Sequence, residues 1–416
     1  MKNQSLFLML SLFLASCSGG HTVKNDTPAS ITVKNSTNLP QTDALITLNA
    51  KTLKEKYPEL DLSAIKINAD APIPFQANDL DGDGTTDEIA FVISLQPAEE
   101  KAVQIESLKE GEALPNFKKR TQAELSYKVG GQWEEREYQG GTFKNTTYLR
   151  VPPEHTDHSW FIRYEGPGWE SDKVGYRFYL DWRNATDIFG KKTGEMVLQD
   201  VGQTGFDSYH EPSDWGMDIL KVGESLGIGA LGFWTGDAAL RVETTDSIIC
   251  SIPLNGPIQS SVKTIYYGWN TGPQTVDLTS LLSIHAGSRL TRHDLALSAG
   301  LPNLCTGIVK HEGTSLLQDD GKEEWGYLAT WGKQSLAEDL LGMAVVYRKG
   351  QLLQVTEDEH SQVVVLRPDN NNTLTYYFLA AWEQEPGGIK TEEAFRAYLD
   401  NTIKSLSAPP EITYGE

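Results

Sequence analysis

The feature that most constrains the fold of this chain is a succession of short apolar and β-branched runs, each ended by a cluster of turn residues. The runs begin near residue 30 and include "IAFVISL", "VKTIYYGW" and "GMAVVYR". Apolar and polar residues alternate in many of them, as expected for strands with one buried and one wetter face. The pattern predicts an all-β fold of large antiparallel sheets.

One segment has helical rather than strand periodicity. In "TEEAFRAYLDNTIKSL", residues 391–406, Thr391 is a suitable N-cap and two glutamates follow it at the positive end of the helix dipole. The apolar residues recur at helical spacing. They are Ala394, Phe395, Tyr398, Leu399 and Ile403. A C-terminal helix is therefore predicted.

The N-terminus predicts export and a lipid anchor. Residues 1–17 contain Lys2, an apolar stretch and a small-residue approach to Cys17, which is typical of a secretory signal and too short for a membrane span. "LASC" resembles a bacterial lipobox, in which Cys17 is acylated; cleavage of a plain signal peptide is the alternative. Residues 18–29 would then be a flexible tether. The expected location is the cell envelope, with the membrane contacted only through the lipid.

Length and charge limit the organisation and the partners. Residues 30–110 are predicted to form a small N-terminal β-sandwich, and residues 120–410 a larger one. A formal net charge of -21 argues against nucleic acid as a partner, because phosphate binding relies on lysine and arginine. Two further cysteines, Cys250 and Cys305, could pair in an oxidising compartment or remain as buried thiols. The oligomeric state is left open.

An acidic stretch, "DLDGDGTTDE", suggests a metal site. It places four aspartates around two glycines, and alternate oxygen ligands with glycine at the sharp turn suit Ca²⁺. An EF-hand is excluded because its twelfth position is Ala90 and the following residues form a strand pattern. A metal-free Asp/Gly turn is the alternative. The candidate ligands of a structural calcium ion are Asp79, Asp81, Asp83 and Asp87.

The densest polar and aromatic cluster lies at residues 164–191. Alternation along "GYRFYLDWR" predicts two different faces. One face carries Tyr176, Phe178, Leu180 and Trp182, and the other carries Arg177, Tyr179, Asp181 and Arg183. The second set is too polar for an ordinary core. It could line a groove for a charged, hydroxyl-rich ligand, or form an exposed ladder of Arg and Asp pairs.

A second concentration of polar and aromatic residues follows at residues 205–234. His210 lies between Tyr209 and Glu211 and could act as a general acid or base, although a surface histidine without a role would look the same. No G-x-S-x-G, H-E-x-x-H or C-x-x-C motif is present, so serine-hydrolase and zinc-motif functions lack support. The glycines near residue 227 do not open a helix, which argues against a dinucleotide site. No organic cofactor is expected.

Aromatic residues favour a carbohydrate ligand. Aromatic rings stack on the apolar face of a sugar while nearby charged groups bond its hydroxyls. Trp169, Trp215 and Trp269 lie in Gly or Pro contexts and could be presented from loops, whereas Trp331 and Trp382 fit core strands. The predicted substrate-binding residues are Trp169, Glu170, Asp181, Arg183, Trp215, Asp218 and Lys221.

Several stretches resemble a family of envelope lipoproteins of Bacteroidota, a domain of unknown function often encoded beside polysaccharide-degrading enzymes. They are "DLDGDGTTDEIAFVISL", "WESDKVGYRFYLDWRNATDIFGK", "WGMDILKVGESLGIGALGFW" and "AAWEQEPGGIKTEEAFRAYLDN". The resemblance implies an antiparallel β-supersandwich of the galactose-mutarotase type and a carbohydrate ligand. It implies no reaction mechanism.

Three functions remain. The first is a lyase acting on uronate-containing oligosaccharides, which needs a cation for the carboxylate, a base and an acid. The residues assigned to these roles are His210, Tyr176, Arg177 and Tyr209. The second is a glycoside hydrolase, with two carboxyl groups, or a mutarotase-like or epimerase-like enzyme. The third is a non-catalytic glycan-binding lipoprotein.

Overall fold

A computed structural model of the protein describes residues 28–205 and 207–415. The predicted signal segment, the lipidation site Cys17 and almost all of the predicted tether lie outside the described residues. Within the described part, no helix is both long enough and apolar enough to cross a membrane.

The first hundred described residues form two small antiparallel sheets with a hydrophobic core of their own. One sheet contains β1, β6 and β3, and the other contains β2, β5 and β4. Isoleucine, leucine and valine side chains from both sheets fill the space between them, as the alternation predicted. The elements are β1 Ala29–Lys34, β2 Gln41–Asn49, α1 Ala50–Lys56, β3 Ile65–Asn68, β4 Phe75–Asn78, β5 Glu88–Leu95 and β6 Glu100–Ser107.

The next segment supplies a five-stranded sheet and a projecting hairpin. The sheet has the order β14-β13-β12-β11-β7, and β8 pairs with β9 in a separate two-stranded hairpin. A 3₁₀ turn at Arg163–Glu165 precedes β11. The elements are β7 Thr121–Glu124, β8 Ser126–Glu134, β9 Glu137–Asn145, β10 Tyr148–Arg150, β11 Gly168–Ser171, β12 Val174–Phe178, β13 Thr186–Lys191, α2 Asp207–His210 and β14 Gly216–Asp218.

The remainder of the chain is almost entirely strand until the last helix. A second 3₁₀ turn lies at Lys349–Gln351. The elements are β15 Ile228–Trp234, β16 Ala239–Arg241, β17 Ser247–Asn255, β18 Gln259–Asn270, β19 Thr275–His285, β20 Leu290–Leu297, β21 Leu304–Val309, β22 Ser315–Gln318, β23 Trp325–Lys333, β24 Leu340–Arg348, β25 Leu352–Glu357, β26 Ser361–Leu366, β27 Thr373–Trp382, α3 Glu392–Ser407 and β28 Glu411–Tyr414.

These strands form a large two-layer sandwich. One layer is a nine-stranded antiparallel sheet of order β10-β17-β18-β19-β20-β27-β24-β23-β22. The other layer consists of the five-stranded sheet that contains β12 and a second one of order β16-β15-β21-β26-β25. A parallel bridge between Thr186 and Gly227 joins the two five-stranded sheets. The main hydrophobic core lies between the two layers, so the predicted all-β antiparallel sandwich is confirmed.

The predicted C-terminal helix is also confirmed. The Thr391 side chain accepts a hydrogen bond from the backbone N–H of Ala394, as an N-cap should. Phe395, Leu399 and Ile403 are buried against the outer face of the nine-stranded sheet. The chain then returns to the N-terminal sandwich, where β28 pairs with β1.

The two sandwiches are joined by buried and charged polar contacts. The guanidinium of Arg120, directly before β7, contacts Asp43 at 2.8 Å and Asp172 at 2.7 Å. The Gln76 side-chain oxygen accepts hydrogen bonds of 3.0 Å from the backbone N–H groups of Ile258 and Gln259. The small sandwich is therefore held against the turn between β17 and β18.

Cys250 and Cys305 are buried as free thiols, in β17 and β21 respectively. Burial raises the pKa of the Cys250 thiol to about 12 and also raises the pKa of Cys305. The sequence allowed either a disulfide or two buried thiols. The structure has two buried thiols, which pack as core residues.

Candidate functional site

The sheet formed by β7 and β11–β14 has one apolar face and one ionic face. Tyr176 and Phe178 point into the main core, whereas Arg177 points away from it. In the register of the sheet, Arg177 lies opposite Gly168 on one side and Asp187 on the other. Alternation along β12 predicted that Tyr176 and Arg177 would lie on opposite faces of the sheet.

Arg177 is the centre of a buried ionic cluster. Its Nη2 atom donates to the Oδ2 atoms of Asp187 and Asp218, each at 2.8 Å. The hydroxyl of Tyr209 accepts a 2.9 Å bond from Nη1, and the Tyr179 hydroxyl donates to Asp187 at 2.9 Å. The Arg177 side chain is only 1% exposed. A cation enclosed in this way needs its two carboxylates, because an unpaired charge is very costly to bury.

The two carboxyl groups interact with each other as well as with the arginine. Burial raises the pKa of Asp218 well above its ordinary range, and the neighbouring Asp187 raises it further. Arg177 opposes this shift without cancelling it. Asp218 therefore holds a proton more readily than an ordinary aspartate does.

His210 connects this cluster to solvent. Its Nε2 atom lies 3.4 Å from Asp218 Oδ2, and its side chain is 39% exposed while that of Asp218 is 1% exposed. The imidazole also packs against the Tyr209 ring, with 4.7 Å between ring centroids. An accessible imidazole backed by a buried carboxyl group is a suitable arrangement for moving a proton.

A second set of ion pairs continues from the cluster to another part of the surface. Glu165 Oε2 lies 3.8 Å from Arg177 Nη1, and Glu165 Oε1 lies 2.9 Å from Arg183 Nη2. Burial alone would raise the pKa of Glu165, but the two guanidinium groups outweigh burial and lower it. Arg183 also contacts Asp181 at 2.5 Å and Asp157 at 2.9 Å.

The surface end of this chain of contacts is a second histidine. The Nδ1 atom of His158 lies 2.5 Å from Asp157 Oδ1, and its side chain is 51% exposed. A continuous series of charged groups thus runs from His210 to His158 through the buried arginine. We call it the ionic network. Its members are His210, Asp218, Asp187, Arg177, Glu165, Arg183, Asp181, Asp157 and His158.

Backbone strain is concentrated near the network. Ten non-glycine residues in the described chain have positive φ, and five of them lie between residues 158 and 184. They are His158, Trp160, Tyr164, Glu165 and Asn184. Left-handed backbone at residues with a side chain costs energy and is often retained at functional sites. This concentration supports the choice of this region as the candidate site.

Three of the four residues predicted to be catalytic are enclosed by protein. Tyr176 is 0% exposed; its hydroxyl donates to the Arg289 carbonyl and accepts from the Ala380 N–H, and burial raises its pKa. Arg177 and Tyr209 are each 1% exposed and bond to each other. None of the three can touch a substrate in this structure, which corrects their assignment to direct roles. Only His210 is accessible.

The predicted substrate-binding residues divide in the same way. Trp169 is 0% exposed and donates to Thr291 from inside the core, and Trp269 is also fully buried. Glu170 is buried against Lys191 at 2.5 Å, and burial raises the pKa of Glu170 and lowers that of Lys191. These positions offer no surface for a ligand, so direct binding by Trp169 or Glu170 is corrected too.

The other predicted binding residues lie in or near the network. Asp181 and Asp218 are buried members of it, and Arg183 is 13% exposed. Trp215 is half-buried, with its ring edge-on to Phe189, and Lys221 is exposed at the surface.

Four members of the network were not among the predicted site residues: Glu165, Asp187, Asp157 and His158. Alternation along "TDIFGK" would have placed Asp187 on the same face as Lys191, and pairing with β12 would have set it against Arg177. The contacts of Glu165 and of the adjacent pair Asp157 and His158 come from loops. No periodic pattern in the sequence indicates those contacts.

The acidic loop between β4 and β5 is separate from the network. One carboxylate oxygen from each of Asp79, Asp81 and Asp87 lies within 4.8 Å of the others, a spacing that a metal ion could bridge. The Asp83 carboxylate instead accepts from the backbone N–H of Thr85 at 2.7 Å. Asn78, directly before the loop, donates to Gln259 of the large sandwich.

We expect calcium in this loop to stabilise the protein without entering its chemistry. At a calcium concentration 100-fold above Kd, binding to the folded state alone adds about 2.7 kcal/mol to the free energy of unfolding. Differential scanning fluorimetry with and without EGTA checks this. The Asp81→Asn variant should lose most of the calcium response. Rapid loss of activity on chelation, without unfolding, would instead assign the metal a chemical role.

Two surface clefts lie away from the network. One, of about 510 Å³, is lined by residues between Glu383 and Lys390, and the other, of about 320 Å³, lies near Asp43 and Arg120 at the junction of the sandwiches. Neither is lined by His210 or His158. The ionic chemistry and these clefts therefore occupy different parts of the surface.

Fold and site define a class: an antiparallel β-sandwich protein with a buried ionic network that reaches the surface at two histidines. The chain belongs to the family described as "Domain of unknown function (DUF4861)", which it matches over residues 33–412. A relative from Formosa agariphila, named "Uncharacterized protein P7", is 23% identical over 418 residues, covering 92% of each chain.

Two solved structures show a distant similarity to this chain. They are a glycosyl hydrolase family 38 protein and an alpha-mannosidase, both from Enterococcus faecalis. Each is 9% identical, with a TM-score of 0.44, and the comparison covers 94% of this chain. The chain spans about half of their length, 47% and 46% respectively. A likeness at this level carries no information on function.

Proposed function

We propose that the protein is an envelope-located lyase acting on uronate-containing oligosaccharides, with His210 as the group that moves the proton. The contact between the exposed His210 and the buried Asp218 carries this proposal. A carboxyl group behind an imidazole holds the ring in one orientation. His210 is thereby equipped to remove a weakly acidic proton.

In an elimination, a single histidine can carry the proton from the carbon to the leaving oxygen. His210 takes the C5 proton of the uronate, and the C4–O bond breaks with its electron pair going to the leaving oxygen. The C4–C5 double bond forms, and the leaving oxygen is protonated from the imidazolium when both groups are on the same face of the ring. One histidine can serve as base and then as acid. No tyrosine is needed, which matters because Tyr176 and Tyr209 are buried.

The arrangement is less suited to hydrolysis by two carboxyl groups. That reaction needs a pair of accessible carboxyls flanking the glycosidic bond. All five carboxylates of the network are paired with arginines. Asp181, Asp187 and Asp218 are at most 4% exposed, Glu165 is 13% exposed and Asp157 is 28% exposed. One accessible imidazole can act as the base in proton abstraction, so the site suits elimination better than hydrolysis. The exposed Lys221 is the candidate for neutralising the substrate carboxylate.

A non-catalytic glycan-binding role is the second candidate, and one observation favours it. Trp182 is 46% exposed, and the Arg241 guanidinium lies 5.6 Å from the centre of its ring. An exposed tryptophan between the network residues Asp181 and Arg183 is a suitable platform for a sugar ring. The same platform would serve a lyase as a binding subsite.

For location, we propose anchoring to the membrane through acylated Cys17. This rests on the signal-like N-terminus and the lipobox resemblance alone. The partner is then a polysaccharide fragment met at the cell envelope.

A single incubation series tests the function. The full chain in detergent is incubated with pectin, alginate, ulvan and glucuronate-bearing oligosaccharides, and absorbance near the ultraviolet band of unsaturated uronates is followed together with reducing ends. We expect the chromophore and new reducing ends to increase together. Reducing ends without the chromophore would replace elimination with hydrolysis, and saturable binding without product would leave a binding protein.

A further inference from the structure

We propose that Asp157, His158 and Glu165 form a binding site for a divalent transition metal ion. One ligand atom from each of these side chains lies within 4.8 Å of the others. A nitrogen and two carboxylate oxygens at that spacing can contact one ion. This donor set, one imidazole with two carboxylates, suits manganese or zinc.

The neighbouring arginine leaves room for the positive charge of an ion. Two nitrogens of the Arg183 guanidinium bond Asp181: Nε donates to Oδ1 at 3.0 Å and Nη2 donates to Oδ2 at 2.5 Å. Asp181 therefore already neutralises Arg183 in a bidentate pair. Asp157 and Glu165 are additional carboxylates beside that pair. Arg183 carries one positive charge and contacts three carboxylates. A divalent cation between Asp157 and Glu165 would neutralise the negative charge that Arg183 does not.

The backbone holds the ligand-bearing segments together. The His158 N–H donates to Glu165 Oε1 at 2.9 Å, which fastens the turn at residues 157–158 to the 3₁₀ turn that contains Glu165. Arg136, from the hairpin of β8 and β9, donates to the Asp157 carbonyl at 2.7 Å. The ligands are thus positioned by contacts that do not use the imidazole.

The site is open on one side and enclosed on the other. The side chains of His158 and Asp157 are 51% and 28% exposed, whereas that of Glu165 is 13% exposed. Three protein ligands with an open side leave coordination positions for water or a substrate oxygen, as in catalytic rather than structural metal sites.

A buried imidazole beside the cluster points to a ligand independently. His155 is 8% exposed; its Nδ1 atom bonds Ser159, and its Nε2 atom is buried without a hydrogen-bond partner. Ser159 directly follows His158, so the His155 ring lies against the loop that carries two of the proposed ligands. Buried polar atoms normally have a partner. An ion, or water bound to it, would provide one.

The proposal does not depend on the lyase function, because metal binding is measurable without a glycan. Only its use rests on the proposed function: an ion here would supply a positive charge for a substrate carboxylate close to the network.

The test titrates Mn²⁺ alone into the chelator-stripped full chain in detergent, by isothermal titration calorimetry and pulsed electron paramagnetic resonance. We expect one Mn²⁺ site with the nitrogen modulation that a coordinated imidazole produces. Replacing His158, which is half exposed, should leave the fold intact. His158→Ala should remove the nitrogen signal and weaken binding more than about 100-fold, since even outer-shell partners of metal ligands contribute about 10–100-fold.

Two further variants make the test decisive. Asp81→Asn, in the separate acidic loop, should leave the nitrogen-coupled site unchanged. Asp157→Asn, which removes a charge but keeps the shape, should weaken that site at least tenfold. Circular dichroism confirms that each variant is folded. Mn²⁺ binding without nitrogen modulation, binding unchanged in His158→Ala, or no stoichiometric binding would each overturn the proposal.

Discussion

His210→Ala is expected to lower the rate of elimination about 10²–10⁴-fold while leaving the fold intact. The rate effect is the usual contribution of a positioned acid or base. The fold should be preserved because the His210 side chain is 39% exposed, so its removal creates no cavity in the core. We expect the free energy of unfolding to change by less than about 1 kcal/mol. Initial rates at saturating substrate and urea denaturation measure the two effects.

The chain offers a close control for this substitution. His360 is 40% exposed, and its Nε2 atom lies 3.2 Å from Glu224, so it has nearly the same exposure and the same kind of acidic neighbour as His210. Glu224 is itself exposed, however, and His360 lies outside the ionic network. His360→Ala should keep full activity. Turnover that survives His210→Ala, or falls equally in His360→Ala, would remove His210 from the mechanism.

Arg177→Met is expected to destabilise the protein by about 3–5 kcal/mol. The substitution leaves Asp187 and Asp218 without their shared cation in a site where each is 1% exposed. Breaking a buried ion pair from one side has a cost of this size, because the remaining charge is uncompensated. Urea denaturation followed by tryptophan fluorescence gives the change in unfolding free energy. Methionine approximates the length of the arginine stem, so the loss reports mainly on charge.

Two comparisons establish the cause of that loss. Arg292 bonds Asp294 through two atoms at 2.7 and 2.9 Å, but its side chain is 53% exposed, so Arg292→Met should cost about 0–1 kcal/mol. Adding Asp218→Asn to Arg177→Met should recover part of the stability, since one uncompensated carboxylate is removed. If Arg177→Met cost no more than Arg292→Met, the cluster would not be an important part of the fold.

Much of the fold could be predicted because local pattern and final environment agree. "EIAFVISL" forms β5, and Thr391 caps α3 within one residue of the predicted boundary. The side chains of Tyr176 and Arg177 point to opposite faces of their sheet, as period-two alternation requires. Each of these features depends on residues near one another in the chain.

The candidate site was harder to predict because alternation does not reveal what covers a face. The polar face of β12 was expected to be open to a ligand. In the structure, residues 197–201 and Tyr209 lie over it: Val197 and Leu198 donate backbone N–H bonds to Glu170, and Val201 and Tyr209 pack with Phe189. The polar residues below are therefore buried partners of one another, and only the ends of the network reach solvent.

The tryptophans illustrate the same limit. Trp169 was expected to stack on a sugar because glycine and proline precede it, yet it is fully buried in β11. Trp182, expected to share a face with Tyr176, is instead 46% exposed beside Arg241. The strand ends at Phe178, so alternation no longer applies at residue 182. A two-residue period is informative only while the backbone remains extended.

By itself, the sequence determined the all-β class, the antiparallel sheets and the terminal helix, because these follow from periodicity and capping within short segments. Only the tertiary structure decided which charged groups meet. Glu165, Asp187 and Asp218 come from three separate segments, and their contacts with Arg177 depend on strand register and on loops folding back. The energy of a buried charge depends on its neighbours in space, and those neighbours are distant along the chain.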